Sequence, residues 1–338
     1  MNVKRREWIR ALGAAGASSL VGWPWASAFA EPPPETTRLR ISKVASVCTS
    51  PQYVAAELLR AEGFTEIKYE DRGNTAIAGV LGAQAMGEGQ TDIAMNFAAP
   101  LAVALDKGAP VVLLAGVHAG CFELVATKRI GKITDLKGKT VAVLGPGSPP
   151  HIFLASIATS VGLDPNRDIN WTFSPMAEAK QALADESIDA MLALPPDAQE
   201  LRARGVGHVL LNSAVDRPWS QYFCCLVSAN RDFVRRNPVA TKRALRAILK
   251  ASELCASDPE RAVKAYLDMG FPIKPQYVGQ AMRDVPFGRW RHYNPEDTVR
   301  FYALRLREAG MVKKSPQQLI AEGTDWRFLD QLKKELKT

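Results

Sequence analysis

The residues best suited to nucleophilic, proton-transfer or metal chemistry are five cysteines and four histidines. The cysteines are Cys48, Cys121, Cys224, Cys225 and Cys255, and the histidines are His118, His151, His208 and His292. Their spacing offers little convergent chemistry. The histidines stand far apart, and no C-x-x-C pair suggests zinc, so no metal ligand set is assigned. G-x-S-x-G, H-E-x-x-H and G-x-G-x-x-G are all absent, and Gly145-Pro146-Gly147-Ser148 fits none of them. An odd number of cysteines cannot all pair, and most lie in apolar runs, where a cysteine is ordinarily a small core residue. The pattern points to binding without reaction, with no catalytic residue and no cofactor.

Two serines suggest anion chemistry. Ser50 precedes Pro51 and Ser148 precedes Pro149-Pro150, each at the start of a helical pattern. The first N–H groups of a helix lack intrahelical partners and carry the positive end of its dipole, so an oxyanion placed there meets ready donors. The same serine can instead cap its own helix, and both readings stand. His151, also at a helix start, is expected to stay neutral, because the dipole disfavours a second positive charge there.

These residues sit in an alternating pattern of elements. Leu39–Val47, Glu66–Glu70, Thr91–Met95 and Val111–Val117 read as strands, with helical patterns between them. Gly73-Asn74-Thr75 reads as a helix start, with Arg72 on the loop before it. The style repeats with strands at Phe122–Thr127, Thr140–Leu144, Ile169–Phe173, Ile188–Ala193, Val209–Leu211 and Tyr222–Ser228, and helices at His151–Val161 and Met176–Ala184. From Pro238 the chain is almost wholly helical. Two alternating β/α units followed by a helical tail indicate an α/β fold with largely parallel sheets. Arg289-Trp290-Arg291-His292-Tyr293 lies between tail helices and reads as surface packing.

The first thirty residues read as an address label. Lys4, Arg5, Arg6 and Arg10 precede twenty uncharged residues ending in Ala28-Phe29-Ala30, an A-x-A cleavage pattern. The paired arginines resemble a twin-arginine export signal, which implies a mature chain starting near Glu31 in a bacterial periplasm. Residues 31–37, rich in proline, read as a tether. The 338-residue chain carries 43 Lys plus Arg against 35 Asp plus Glu, a net +8, and removing the leader leaves +5. Its bases are interleaved with acids, which argues against nucleic-acid binding.

Several motifs carry a resemblance. Thr91-Asp92-Ile93-Ala94, Gly108-Ala109-Pro110, Asp135-Leu136-Lys137-Gly138-Lys139-Thr140-Val141-Ala142-Val143, Gly162-Leu163-Asp164-Pro165 and Ile188-Asp189-Ala190 occur in this order. Together, over residues 39–310, they resemble the periplasmic substrate-binding proteins of the nitrate, sulfonate and taurine class of ABC importers. The resemblance implies a two-lobed type II periplasmic-binding fold, with residues 38–123 and 222–338 in lobe 1 and 124–221 in lobe 2. Crossing strands near Cys121–Thr127 and Tyr222–Ser228 would form the hinge. It also implies a monomer that takes a small solute and docks on an ABC permease and its ATPase.

Ligands of open α/β sheets bind beyond the carboxyl ends of strands. The expected contacts are therefore Thr49, Ser50, Gln52, Asn96, Phe97 and His118 from lobe 1, and Ser148, His151 and Leu194 from lobe 2. Trp219 and Tyr222, at the second crossing, complete the set. The scarcity of Arg and Lys on these loops favours a sulfonate or carboxylate with an organic body, an aromatic one among the options, over nitrate. Cys121 falls on one crossing strand and Cys224-Cys225 on the other, so a hinge disulfide is one expectation and free thiols the other. Two rival roles use the same cleft: a periplasmic sensor subunit, and an enzyme related to thiamine-pyrimidine synthases, whose cysteine-rich motif this chain lacks.

Overall fold

Ten strands alternate with helices in the computed structural model, which describes residues 31–71 and 79–336. The leader and Arg72–Thr75 lie outside the described residues. Residues 34–338 make up one unit. In chain order the strands are β1 (Arg38–Lys43), β2 (Glu66–Asp71), β3 (Ile93–Phe97), β4 (Val111–Ala119), β5 (Glu123–Ala126), β6 (Lys139–Val143), β7 (Ile169–Phe173), β8 (Ala190–Ala193), β9 (His208–Asn212) and β10 (Phe223–Asn230). They form two five-stranded sheets, ordered β2-β1-β3-β10-β4 and β7-β6-β8-β5-β9.

The two sheets share one plan. In each, three parallel strands are followed by one antiparallel strand, and a fifth pairs antiparallel to that. The antiparallel strand is the one the chain enters directly from the other lobe: β5 after the first crossing, β10 after the second. Central strands are apolar on both faces because helices cover both sides. All nine residues of β4 are buried, whereas edge strand β7 exposes Asn170 and Phe173.

Prolines set many helix starts, since the fixed φ suits the first turn and its missing N–H costs no bond. Pro149, Pro238, Pro259, Pro275, Pro295 and Pro316 all open helices. The tail comprises helices Pro238–Ser257, Pro259–Leu267, Pro275–Asp284, Pro295–Glu308, Pro316–Gly323 and Arg327–Glu335. It packs on lobe 1 and shields that sheet's edge: Thr324 bridges to Leu113 of β4, and Asp325 N–H donates to the Leu113 carbonyl at 3.0 Å.

Some sequence readings need correction. The helix after Ser50 is interrupted at Ala55, giving Pro51–Val54 and Ala56–Ala61. The helices Arg231–Arg236 and Pro316–Gly323 were not anticipated; the latter opens on a capping box between Ser315 and Gln318. At the start of this unit, both carboxylate oxygens of Glu35 accept the Val239 and Ala240 N–H groups, each at 2.9 Å. Trp290 is completely buried, because its indole N–H reaches Glu253 at 2.9 Å while Arg291 stacks outside its ring. No helix among the described residues is long and apolar enough to cross a membrane.

Candidate ligand-binding site

The carboxyl ends of β1, β3 and β4 and of β6 and β8 meet at the junction between the lobes. The crossing segments run side by side here. The Ser213 hydroxyl accepts the N–H groups of Cys121 (3.0 Å) and Phe122 (2.8 Å) and donates to the Phe122 carbonyl at 3.0 Å. Gly120 permits that approach: its φ is +34°, and a Cβ there would lie 2.2 Å from the Ser213 carbonyl oxygen.

The lobes touch directly. Val47 N–H and the Ser46 hydroxyl both donate to the Pro195 carbonyl, each at 3.2 Å. Nearer the other end, Val80 N–H donates to the Gly147 carbonyl at 3.3 Å. From the tail, Asp284 accepts Gln199 Nε2 at 3.0 Å and pairs with Arg202, both on the lobe 2 helix Asp197–Ala203. Aromatic rings continue the seam. Phe97 of β3 lies 5.4 Å from Phe122, which stacks at 4.6 Å on Phe153 of helix Pro149–Ser160, and Tyr302 of the tail follows at 6.2 Å. These rings are buried, so the wall is apolar.

The residues expected at the site occupy this junction in three groups. Thr49, Ser50 and Gln52, in the turn after β1 and the short helix Pro51–Val54 that follows it, are fully buried and bond within lobe 1. Thr49 donates to the Ser46 carbonyl at 2.8 Å and Ser50 to the Val47 carbonyl at 2.6 Å. Gln52 donates to the Ser42 carbonyl and accepts Met95 N–H, at 2.8 and 2.9 Å. Ser50 has helical backbone angles and no capping bond, because its hydroxyl turns back to Val47 instead. Asn96 and Phe97 belong to β3 itself rather than to the following loop, and Asn96 donates to Ser228 on β10 at 2.8 Å.

Ser148 and His151 form the second group. Ser148 caps its helix, accepting His151 N–H at 3.4 Å. His151 Nδ1 accepts Gly147 N–H at 3.2 Å, and the ring stands edge-on to Trp171. Because Nδ1 accepts, that nitrogen carries no hydrogen, and burial lowers the His151 pKa from its ordinary value. Leu194 is buried beside Pro195. In the third group, Trp219 is buried and Tyr222 stacks on Phe301 of the tail at 4.0 Å.

His118 is different. It is completely buried, with Nδ1 3.0 Å from the Ala119 carbonyl and Nε2 2.9 Å from the Cys48 carbonyl. Carbonyls only accept, so each of these bonds needs a hydrogen on the ring nitrogen that makes it, which favours the protonated ring. Burial opposes that charge, but the Cys48 thiol and the Ala119 carbonyl outweigh it and raise the His118 pKa. Burial likewise works upward on Cys48, yet neighbouring cysteine thiols and His118 hold it well below the usual thiol value.

Sequence reasoning missed Phe153, Phe287 and Tyr302. Phe287 meets the His118 ring edge-on at 5.2 Å. Both Phe287 and Tyr302 come from the tail, and only their long-range packing marks them. A surface cavity of about 550 Å³ has none of the expected residues in its lining, and two of its three arginines, Arg38 and Arg40, pair with Glu66 and Asp92.

This geometry can be set beside known proteins. The alkanesulfonate-binding protein SsuA from Xanthomonas axonopodis pv. citri, solved bound to MOPS, is 20% identical with a TM-score of 0.65, over 84% of this chain and 96% of that one. The aliphatic sulphonate binding protein SsuA from Escherichia coli is 22% identical with a TM-score of 0.63, over 82% and 86%. The periplasmic nitrate-binding protein NrtA from Synechocystis PCC 6803 is 14% identical with a TM-score of 0.74, over 90% of each chain. The shared fold is the two-lobed periplasmic-binding architecture. No curated protein sequence matches the chain. The model of the NMT1-like family matches residues 32–267, well over half the sequence, and the chain belongs to that family.

Proposed function

We propose that this protein is the exported solute-binding component of an ABC importer, capturing a small organic anion, a sulfonate or carboxylate, between its lobes. The observation that carries this reading is the direct closure of one lobe on the other, through Ser46 and Val47 to Pro195, at the carboxyl ends of both sheets. In this reading lobe 1 comprises residues 38–123 and 222–338 and lobe 2 residues 124–221, and the two crossings are the hinge. The aromatic run from Phe97 to Phe153 favours a solute with an apolar body. Ser148, His151, Asn96, Gln52 and their neighbours would supply directed polar contacts when the lobes part and exchange internal bonds for solute bonds. Its differential affinity for the closed state would then shift the population, without chemical change, for delivery to a membrane permease driven by its ATPase. The sulfonate-binding names of two structural neighbours support this class of solute.

The test is a thermal-shift screen of the mature chain against alkyl and aryl sulfonates, aromatic carboxylates, nitrate, pyrimidines and amino acids, followed by calorimetry. Saturable stabilisation by a sulfonate or carboxylate, recovered unaltered by mass spectrometry, is the expected result. Stabilisation by nitrate alone would overturn the solute class, and conversion of the ligand would overturn the binding role.

A further inference from the structure

Four of the five cysteines gather around Cys225 in two overlapping buried groups. They come from three separate segments: Cys48 from the loop after β1, Cys121 from the first crossing, and Cys224 and Cys225 from the start of β10. All four are buried. Cys121 Sγ lies 2.8 Å from Cys224 Sγ, and Cys225 Sγ lies 3.9 Å from Cys48 Sγ. The sulfurs of Cys121, Cys224 and Cys225 fall within 4.8 Å of one another, as do the ligand atoms of Cys48, Cys225 and His118.

Neighbouring residues on a strand point to opposite faces, so Cys224 and Cys225 should not both reach one place. They do because β10 is irregular here: its register against β4 shifts between Phe223 and Cys225 and again between Cys225 and Leu226. Such irregularities re-aim side chains, and this one brings two thiols together. A core needs no such gathering, since a lone buried cysteine packs as well as any small apolar residue.

From this arrangement we infer that Cys48, Cys121, Cys224 and Cys225 form a binding site for one thiophilic d10 cation, zinc(II) or copper(I), at the base of the hinge. Soft thiolates select these ions. In a tetrahedral zinc site with bonds of about 2.3 Å, sulfurs stand about 3.8 Å apart. The Cys48–Cys225 pair already has that separation, Cys121 and Cys224 would part by about 1 Å, and Cys48, which groups with Cys225 and His118, would move toward Cys121 and Cys224. His118 keeps its two carbonyl bonds and stands beside the site. Binding releases the thiol protons and links segments more than 70 residues apart, so the ion holds the crossings against the loop after β1. A Cys121–Cys224 disulfide, the competing use of these residues, would employ two sulfurs and leave the convergence of the other two without a role.

The experiment uses the mature chain, reduced, stripped with a chelator and freed of both reagents, then titrated with cobalt(II), zinc(II) and copper(I). The expected result is one cobalt per chain with thiolate-to-cobalt charge-transfer bands, displaced by zinc, and a thermal midpoint that climbs with metal concentration. Cys225→Ser and Cys121→Ala should abolish the bands, while Cys255→Ala, outside the cluster, should retain them. Absence of charge-transfer bands in the reduced wild-type chain overturns the inference, whether or not a Cys121–Cys224 disulfide is found in the oxidised protein. Bands that persist in both cluster variants also overturn it. The wild-type spectrum decides the matter even where a variant fails to fold.

Discussion

Asp92 and Asp189 occupy equivalent positions at the entries to β3 and β8. Each carboxylate accepts a main-chain N–H from the neighbouring strand, Arg40 at 2.8 Å and Thr140 at 2.9 Å. Each also donates its own N–H to the carbonyl of that same neighbour, at 2.9 Å in both lobes. An arginine completes each clasp: Arg40 grips both oxygens of Asp92, and Arg129 reaches Asp189 at 3.2 Å. The two sheets are thus pinned at the same point of the same plan by the same chemistry.

Removing either clasp should weaken the fold. Asp92→Ala and Asp189→Ala strand an amide and an arginine, and the arginines are nearly half exposed, which moderates the loss. We expect about 2 kcal/mol for each, read from urea denaturation followed by circular dichroism. An unchanged midpoint for both variants would refute the role given to these carboxylates.

Lobe closure should respond to Ser46. The Ser46→Ala variant deletes the hydroxyl bond to Pro195 but leaves the Val47 bond in place. A bond worth about 1 kcal/mol changes the closed-to-open ratio roughly fivefold. The expected readout is a larger radius of gyration by small-angle scattering with little change in thermal midpoint. A scattering curve identical to wild type would show that this contact does not govern closure.

The aromatic seam should carry much of the interlobe stability. Phe153→Ala removes a ring stacked on Phe122 and leaves a cavity in a site with little freedom to collapse. The expected cost is about 3–5 kcal/mol. Denaturant titration checks it, and a loss below about 1 kcal/mol would mean that the ring is not packed as described.

Glu123 gives a pH dependence of known sign. Burial raises its pKa from the usual 4.5, Arg202 opposes the rise and Asp284 adds to it. Arg202 Nε stands 3.4 Å from Oε2 without hydrogen-bond geometry. A raised carboxyl binds its proton more tightly when folded. Its contribution is therefore fully present below the unfolded pKa and is lost as pH climbs through the folded one. Wild type should lose stability relative to Glu123→Gln as pH rises from about 4.5. Parallel stability curves for the two proteins would contradict this.

Much of the architecture is written locally. Strand Ile169–Phe173 and helix Met176–Ala184 have the limits that periodicity predicts, and the fully apolar run beginning at Val111 is a strand buried on both faces. Local bonding rules fix such elements, because alternation, a proline at a helix start and a glycine at its end each act within a few residues. The acidic residues of Thr91-Asp92-Ile93-Ala94 and Ile188-Asp189-Ala190 likewise stood out in the sequence, although their clasps become visible only once Arg40 and Thr140 lie alongside.

The junction obeys a different rule. Ser50 looks like a cap or an anion ligand by its neighbours, yet its hydroxyl is turned onto Val47 because the loop bends back on itself in three dimensions. Phe287 and Tyr302 arrive from the tail, and four cysteines from three distant segments gather around Cys225. The sequence by itself determined two α/β units, their strands and the loops at the strand ends. Which of those loops touch, and which side chains they spend on one another, was decided by tertiary packing, since contacts between residues a hundred positions apart leave no periodic mark in the chain.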